Sequence, residues 1–208
     1  TKSYYNKVFK SKPFELAGKA DLARQAIEFY HNKSEDEVRF IWEDTFRKLI
    51  DAANSTNQKL LLWLAFDIGE NIGSLLVMQK KDFLRQINKT TGEPEYLVNL
   101  PREKLKRSRR PRSEITNFKE TVGLLDTVLR DLEDNDPLFS FGHRQALKFL
   151  DRAVRIVNAR CIPKGQKVSW KDLRSSMACY LLTKGWSTDE IRARLGHSPS
   201  SRILDKYV

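Results

Sequence analysis

Apolar positions along the chain change their period from region to region, and each change marks an element. Ile41, Trp42, Phe46, Leu49, Ile50 and Ala53 recur at helical spacing, and Asn54-Ser55-Thr56-Asn57 interrupts them, which predicts an amphipathic helix that stops there. From Leu60 to Ile68 nearly every residue is apolar, with Asp67 the exception, as expected of a helix buried on all sides and stopped by Gly69. A short helix from about Ile72 to Met78 follows. Alternation then replaces the helical period. Tyr96, Val98 and Leu100 alternate with Leu97 and Asn99 behind the turn Thr91-Gly92-Glu93-Pro94, which predicts a strand, and a second extended piece runs from about Arg112 to Thr116. Helical faces return with Val122, Leu125, Leu129 and Leu132, and with Ala146, Leu147, Leu150, Ala153, Val154 and Val157. A further helix covers about Lys171 to Lys184. Ser187-Thr188-Asp189-Glu190 is a capping box for a helix that ends at Gly196. The pattern predicts a mainly α domain with a small antiparallel β-sheet.

Composition narrows the class. With 40% hydrophobic residues, 31% charged, 9 Gly and 7 Pro in 208 residues, the chain is neither disordered throughout nor collagen-like. The Leu60–Ile68 run is too short to cross a bilayer, and the first residues lack the pattern of a secretory signal, so the expected location is the cytoplasm or nucleoid. Cys161 and Cys179 lack neighbours at metal-ligand spacing and read as buried thiols. The 38 Lys+Arg against 27 Asp+Glu give +11, and Arg102, Lys104, Lys106, Arg107, Arg109, Arg110 and Arg112 concentrate seven cations beside one acid, Glu103. Placed at the turn of a hairpin, this density suits a polyphosphate, because each neutralised phosphate releases condensed counterions. By itself the cluster points to a nucleic acid and says nothing about chemistry.

The chemistry is concentrated near the C-terminus. Lys171-Asp172-Leu173-Arg174 opens one helix, Leu195-Gly196-His197 closes the next, and Tyr207 follows ten positions later in Asp205-Lys206-Tyr207. His197 stands 23 positions after Arg174. In this the sequence resembles the tyrosine recombinases, the integrase family of phage, Xer-type and Cre-like enzymes, whose catalytic domain carries a His-x-x-Arg box, a Leu-Gly-His box and a nucleophilic Tyr in that order. Gly69-Glu70-Asn71-Ile72-Gly73-Ser74 falls where the family has a Gly-x-Arg step, which puts Asn71 at the position of the family's first arginine. The family's hairpin lysine corresponds to Lys106, with Lys104 in reserve.

The residues suit that chemistry on physical grounds too. Attack of a phenol on a phosphodiester builds charge on the non-bridging oxygens, which Arg174 and His197 can stabilise; the planar fork of arginine matches two oxygens at once. Tyr207, with a reference pKa of about 10, needs such an electropositive setting to act as nucleophile and to hold the 3′ phosphate. Lys106 would protonate the departing 5′ oxygen. The energy stays in the phosphotyrosine, so strand exchange requires no cofactor and no metal. Two residues depart from the family pattern. Lys171 replaces a histidine and remains cationic. Asn71 brings neither charge nor fork.

The resemblance implies the tyrosine-recombinase catalytic-domain fold over residues 37–208, truncated just after the nucleophile. It also implies a basic arm or linker at 1–36, a possible remnant of an N-terminal DNA-clamp domain. Double-stranded DNA is the partner the resemblance implies, with Lys104, Arg107, Arg109, Arg110 and Arg112 as contacts. Site-specific DNA recombination or integration for a mobile element is the expected function, by a monomer in isolation that forms a homo-tetrameric synapse on DNA. The alternatives are a DNA-binding pseudo-recombinase, which Asn71 favours, and a type IB-like topoisomerase, which size and box spacing disfavour.

Overall fold

The computed structural model describes residues 38–105, 110–162 and 165–197; the expected arm at 1–36 lies outside them. Seven α-helices and three strands, with two single 3₁₀ turns (Lys80–Asp82 and Arg102–Lys104), occur among these residues: α1 (Glu43–Asp51), α2 (Thr56–Asp67), α3 (Ile72–Leu75), β1 (Phe83–Ile87), β2 (Pro94–Leu100), β3 (Arg112–Ile115), α4 (Lys119–Val128), α5 (His143–Val157), α6 (Trp170–Thr183) and α7 (Thr188–Arg194). The expected mainly α fold with a small antiparallel sheet is the fold observed.

The core is organised around α2. Ser55 caps its N-terminus by accepting from the Gln58 N–H at 3.3 Å, and every residue from Leu60 to Asp67 is buried. A helix without a polar face needs apolar neighbours all round. α1, α4 and α6 supply them. Phe46 of α1 stacks on Phe66 at 4.3 Å between centroids and meets Trp63 edge-on at 4.9 Å, geometries favoured by the ring quadrupoles. Val122 and Leu125 of α4, with Leu173 and Met177 of α6, are buried in the same cluster.

The sheet has strand order β1-β2-β3, antiparallel throughout. Pairs such as Phe83↔Val98 and Val98↔Glu114 fix its register, which turns Tyr96, Val98 and Leu100 towards the helices. β2 and β3 match the expected extended segments, and the basic stretch connects them. β1 was not foreseen. Only Phe83 of its five residues is buried, so it carries none of the alternation that reveals a half-buried strand; it is an edge strand held by its partner's backbone.

α6 begins with a capping box in which the Ser169 N–H donates to Asp172 Oδ2 at 2.7 Å. Asp172 also receives Arg39, Nε to Oδ1 at 3.0 Å and Nη2 to Oδ2 at 2.8 Å. α7 has the expected box: Ser187 N–H donates to Glu190 Oε2 at 2.7 Å and the Glu190 N–H returns to Ser187 Oγ at 3.3 Å. Both cysteines are buried and unbridged, and burial pushes the Cys161 thiol up to about 12. Among the described residues no helix is long and apolar enough to cross a membrane.

Gly69 ends α2 with φ +64°, and a Cβ there would stand 2.6 Å from Leu195 Cδ2. It has both a backbone reason and a packing reason to be glycine. Gly69→Ala is expected to cost roughly 1–3 kcal/mol, read as a lowered urea midpoint. Gly73→Ala is the control, since a Cβ at Gly73 meets nothing within 4 Å; it should leave the midpoint unchanged or raise it.

Candidate functional site

The ends of α2 and α7, the start of α3, the first turns of α6 and the start of β3 converge on one buried polar cluster. Arg174, 7% exposed, sits at its centre. Its Nη1 donates to the Gly69 carbonyl, its Nη2 donates to the Leu195 carbonyl, and Nη2 lies 3.0 Å from His197 Nε2. An arginine only donates, so Nε2 of His197 is the acceptor in that pair and Nδ1 carries the ring proton. The glycines at both helix ends make this possible. With φ of +64° and +62°, Gly69 and Gly196 turn the chain sharply after α2 and α7. The carbonyls beside those turns are left for a guanidinium to collect.

Glu70 is the second centre. Its side chain is fully buried, accepts at Oε1 from the Asn71 backbone N–H (2.7 Å) and Asn71 Nδ2 (2.9 Å), and accepts at Oε2 from Arg112 Nη2 (2.9 Å). Arg174 Nη1 is 3.6 Å from the same Oε2. Burial pushes the Glu70 carboxyl up, but the Arg174 charge and the hydrogen bonds from Asn71 and Arg112 outweigh it and hold it below the ordinary range.

From Arg112 the ion pairing continues away from Arg174. Arg112 Nε donates to Glu114 Oε1 at 3.0 Å and to the Arg194 carbonyl at 2.6 Å. Arg194 Nη1 reaches Glu114 Oε2 at 3.2 Å, and its Nη2 donates to the Asp67 carbonyl at 2.8 Å and lies 3.4 Å from Asp67 Oδ1. Asp67 in turn accepts from Asn117 N–H and Nδ2 at the start of α4. Burial pushes Asp67 and Glu114 up and Arg194 down. Cations and anions thus alternate from Arg174 through Glu70, Arg112, Glu114 and Arg194 to Asp67.

The structure brings together Arg174, His197, Asn71 and Arg112. It places Arg112 inside the cluster, with its side chain 9% exposed, instead of on the hairpin surface where a DNA contact was expected. Lys171 is exposed on the first turn of α6, and Arg110 is exposed beside β3. Lys104 is half-buried and paired with Asp82, with Gln79 Oε1 at 3.3 Å. Tyr207, Lys106, Arg107 and Arg109 lie outside the described residues. Glu70, Glu114, Arg194 and Asp67 were not singled out as site residues. Only Asp67 carried a local signal, a charge within the apolar Leu60–Ile68 run, because a buried charge must be paired; Glu70, Glu114 and Arg194 stand in mixed or polar stretches that offered none. Among the described residues no group of three or more His, Cys, Asp and Glu is placed to hold a metal ion.

This architecture is the tyrosine-recombinase catalytic-domain fold. Among solved structures the chain is similar to XerA recombinase (TM-score 0.61, 18% identity, covering 99% of this chain and 85% of that one). It is also similar to the XerH site-specific recombinase bound to difH substrate in a pre-cleavage complex (TM-score 0.61, 18%, 85% and 52%) and to a lambda integrase dimer bound to a COC′ core site (TM-score 0.55, 17%, 91% and 57%). In sequence it is 27% identical over 186 residues to transposase A from transposon Tn554 of Staphylococcus aureus, a match covering 83% of this chain. The chain spans about half the length of that relative, 49%. No family model matches the sequence.

The sign of the Glu70 effect on stability follows from its lowered value. Its contribution is fully present above the unfolded carboxyl value of about 4.3 and is lost as pH falls through the lower folded value. Glu70→Gln leaves two arginines facing a neutral amide and is expected to cost roughly 3–5 kcal/mol near neutral pH. Urea denaturation of both proteins should show that difference shrinking as the pH falls below the ordinary carboxyl range.

Proposed function

We propose that the chain carries the catalytic domain of a site-specific DNA recombinase of the tyrosine type, serving the integration or excision of a mobile element. The observation that carries this reading is the Arg174–His197 pair, 3.0 Å apart and held by carbonyls at two glycine-ended helices, within a fold shared with recombinases. The 27% identity to a transposase adds support for DNA recombination in general.

In this reading the scissile phosphate docks against Arg174, which lends charge to a non-bridging oxygen, with His197 beside it as a second donor through Nδ1. The phenol of Tyr207 gives up its proton to solvent as its oxygen attacks phosphorus, the P–O5′ bond breaks, and a 3′-phosphotyrosyl bond forms. Lys106 gives a proton to the leaving 5′ oxygen. Attack by the 5′ hydroxyl of another strand reverses these steps and frees Tyr207. Lys171 contributes a cation at the edge of the phosphate site in place of an imidazole. Arg107, Arg109 and Arg110 grip the DNA backbone around the β2–β3 connection, while Lys104 stays paired with Asp82, and a homo-tetramer forms the synapse on DNA.

A second reading is a binding relative that grips duplex DNA without cutting. Asn71 favours it, because both its amide groups are committed to Glu70.

Covalent trapping on nicked suicide duplexes distinguishes the two. The duplexes carry a site enriched by this chain from a random-sequence pool. Wild type should give a band of retarded mobility on a denaturing gel, and Tyr207→Phe should give none. Arg174→Gln should slow its appearance about 10²–10³-fold while retaining salt-sensitive binding. Binding without any covalent band would establish the second reading.

A further inference from the structure

Glu70 poses an electrostatic problem for the recombinase reading. A carboxylate 3.6 Å from Arg174 Nη1 cancels much of the field that Arg174 would offer a phosphate. At position 71, beside it, stands a neutral amide. If Arg174 and Glu70 were alone together, the centre of the site would be close to neutral, and a phosphodiester would gain little by entering.

Arg112 changes that balance. It is the closer partner of Glu70, with Nη2 to Oε2 at 2.9 Å against 3.6 Å for Arg174, and it is held in place at Nε by Glu114 and by the Arg194 carbonyl. Its Nη1 is buried and has no hydrogen-bond partner among the described residues, an arrangement that costs energy unless something compensates. Gly196 leaves room for it: a Cβ there would lie 2.6 Å from Nη1. A second guanidinium is thus brought under the residue that precedes His197, with one donor unspent.

We propose that Arg112 is a positioning residue that supplies, from β3, the positive charge absent at position 71: by taking Glu70 as its partner it leaves the charge of Arg174 for the scissile phosphate. The inference rests on the recombinase reading. It assigns a role to a residue outside the His-x-x-Arg and Leu-Gly-His boxes.

The test compares two duplexes that carry the enriched site, one with the natural scissile phosphate and one with a neutral methylphosphonate at that position. Removing a cation matters to an anionic phosphate and much less to a neutral one. Arg112→Gln should slow covalent trapping on the phosphate about 10²-fold and on the methylphosphonate by less than about tenfold. Arg112→Lys should recover most of the loss. Because Arg112→Gln strands Glu70, the double variant Arg112→Gln/Glu70→Gln is measured too; it should also recover rate on the phosphate, as should Asn71→Arg in the Arg112→Gln background. Thermal melts confirm that the variants being compared are folded.

Affinity in the Tyr207→Phe background reads the same charge without cleavage: the preference for phosphate over methylphosphonate should shrink clearly in Arg112→Gln/Tyr207→Phe and return in Arg112→Gln/Glu70→Gln/Tyr207→Phe, where no stranded carboxylate opposes Arg174. Equal losses on both duplexes, or an unchanged preference in Arg112→Gln/Tyr207→Phe, would overturn the proposal. Absence of covalent product from wild type, with the phosphate preference still dependent on Arg112, would sink the cutting reading and leave the charge assignment standing.

Discussion

The paired charges beneath the site are the constraint on which the rest of the domain depends. Three arginines and three carboxylates are buried in alternation from Arg174 to Asp67, and each would be costly to bury alone. Together they join elements remote in sequence. Asp67 and Glu70 flank the end of α2, Arg112 and Glu114 belong to β3, Arg174 to α6 and Arg194 to α7. The apolar core packs α2 against α1, α4 and α6, and this polar seam fixes where the sheet and the last helix sit against that core. Breaking one pair exposes its neighbours to the same penalty, so the seam holds together as a unit.

The seam also determines what the site can offer a ligand. A guanidinium whose donors are occupied by carbonyls at two helix ends is rigid before anything binds, and preorganisation of this kind is what makes an electrostatic site effective. The two helix-ending glycines are therefore as much a part of the site as the arginine they serve, since any side chain at Gly69 or Gly196 would meet Leu195 or Arg112.

Much of this was legible in the sequence. The all-apolar face of Leu60–Ile68, the Ser187–Glu190 box and the alternation from Tyr96 to Leu100 each carry a period or a cap that only one local structure satisfies. The Arg174 and His197 boxes were legible by spacing. β1 was not, because an edge strand with one buried residue owes its conformation to its neighbour. The burial of Arg112 was hidden for a different reason: in a run of seven cations nothing local distinguishes one that pairs with acids on α2 and β3 from those that do not. That distinction is made only by tertiary contacts, through Glu70 at position i−42 and Arg194 at i+82.

The segment that enters the described fold is fastened at successive residues. Arg39 grips the Asp172 cap, Phe40 bridges to Ile162, and the Ile41 N–H donates to Ser176 Oγ at 2.8 Å. Two of these three ties land on α6, one of them within its first turn, two residues before Arg174. Residues 39–41 are thus a short mechanical linkage: tension or torque applied from the N-terminal side is delivered to the helix that carries the central arginine, and is not absorbed by slack in between.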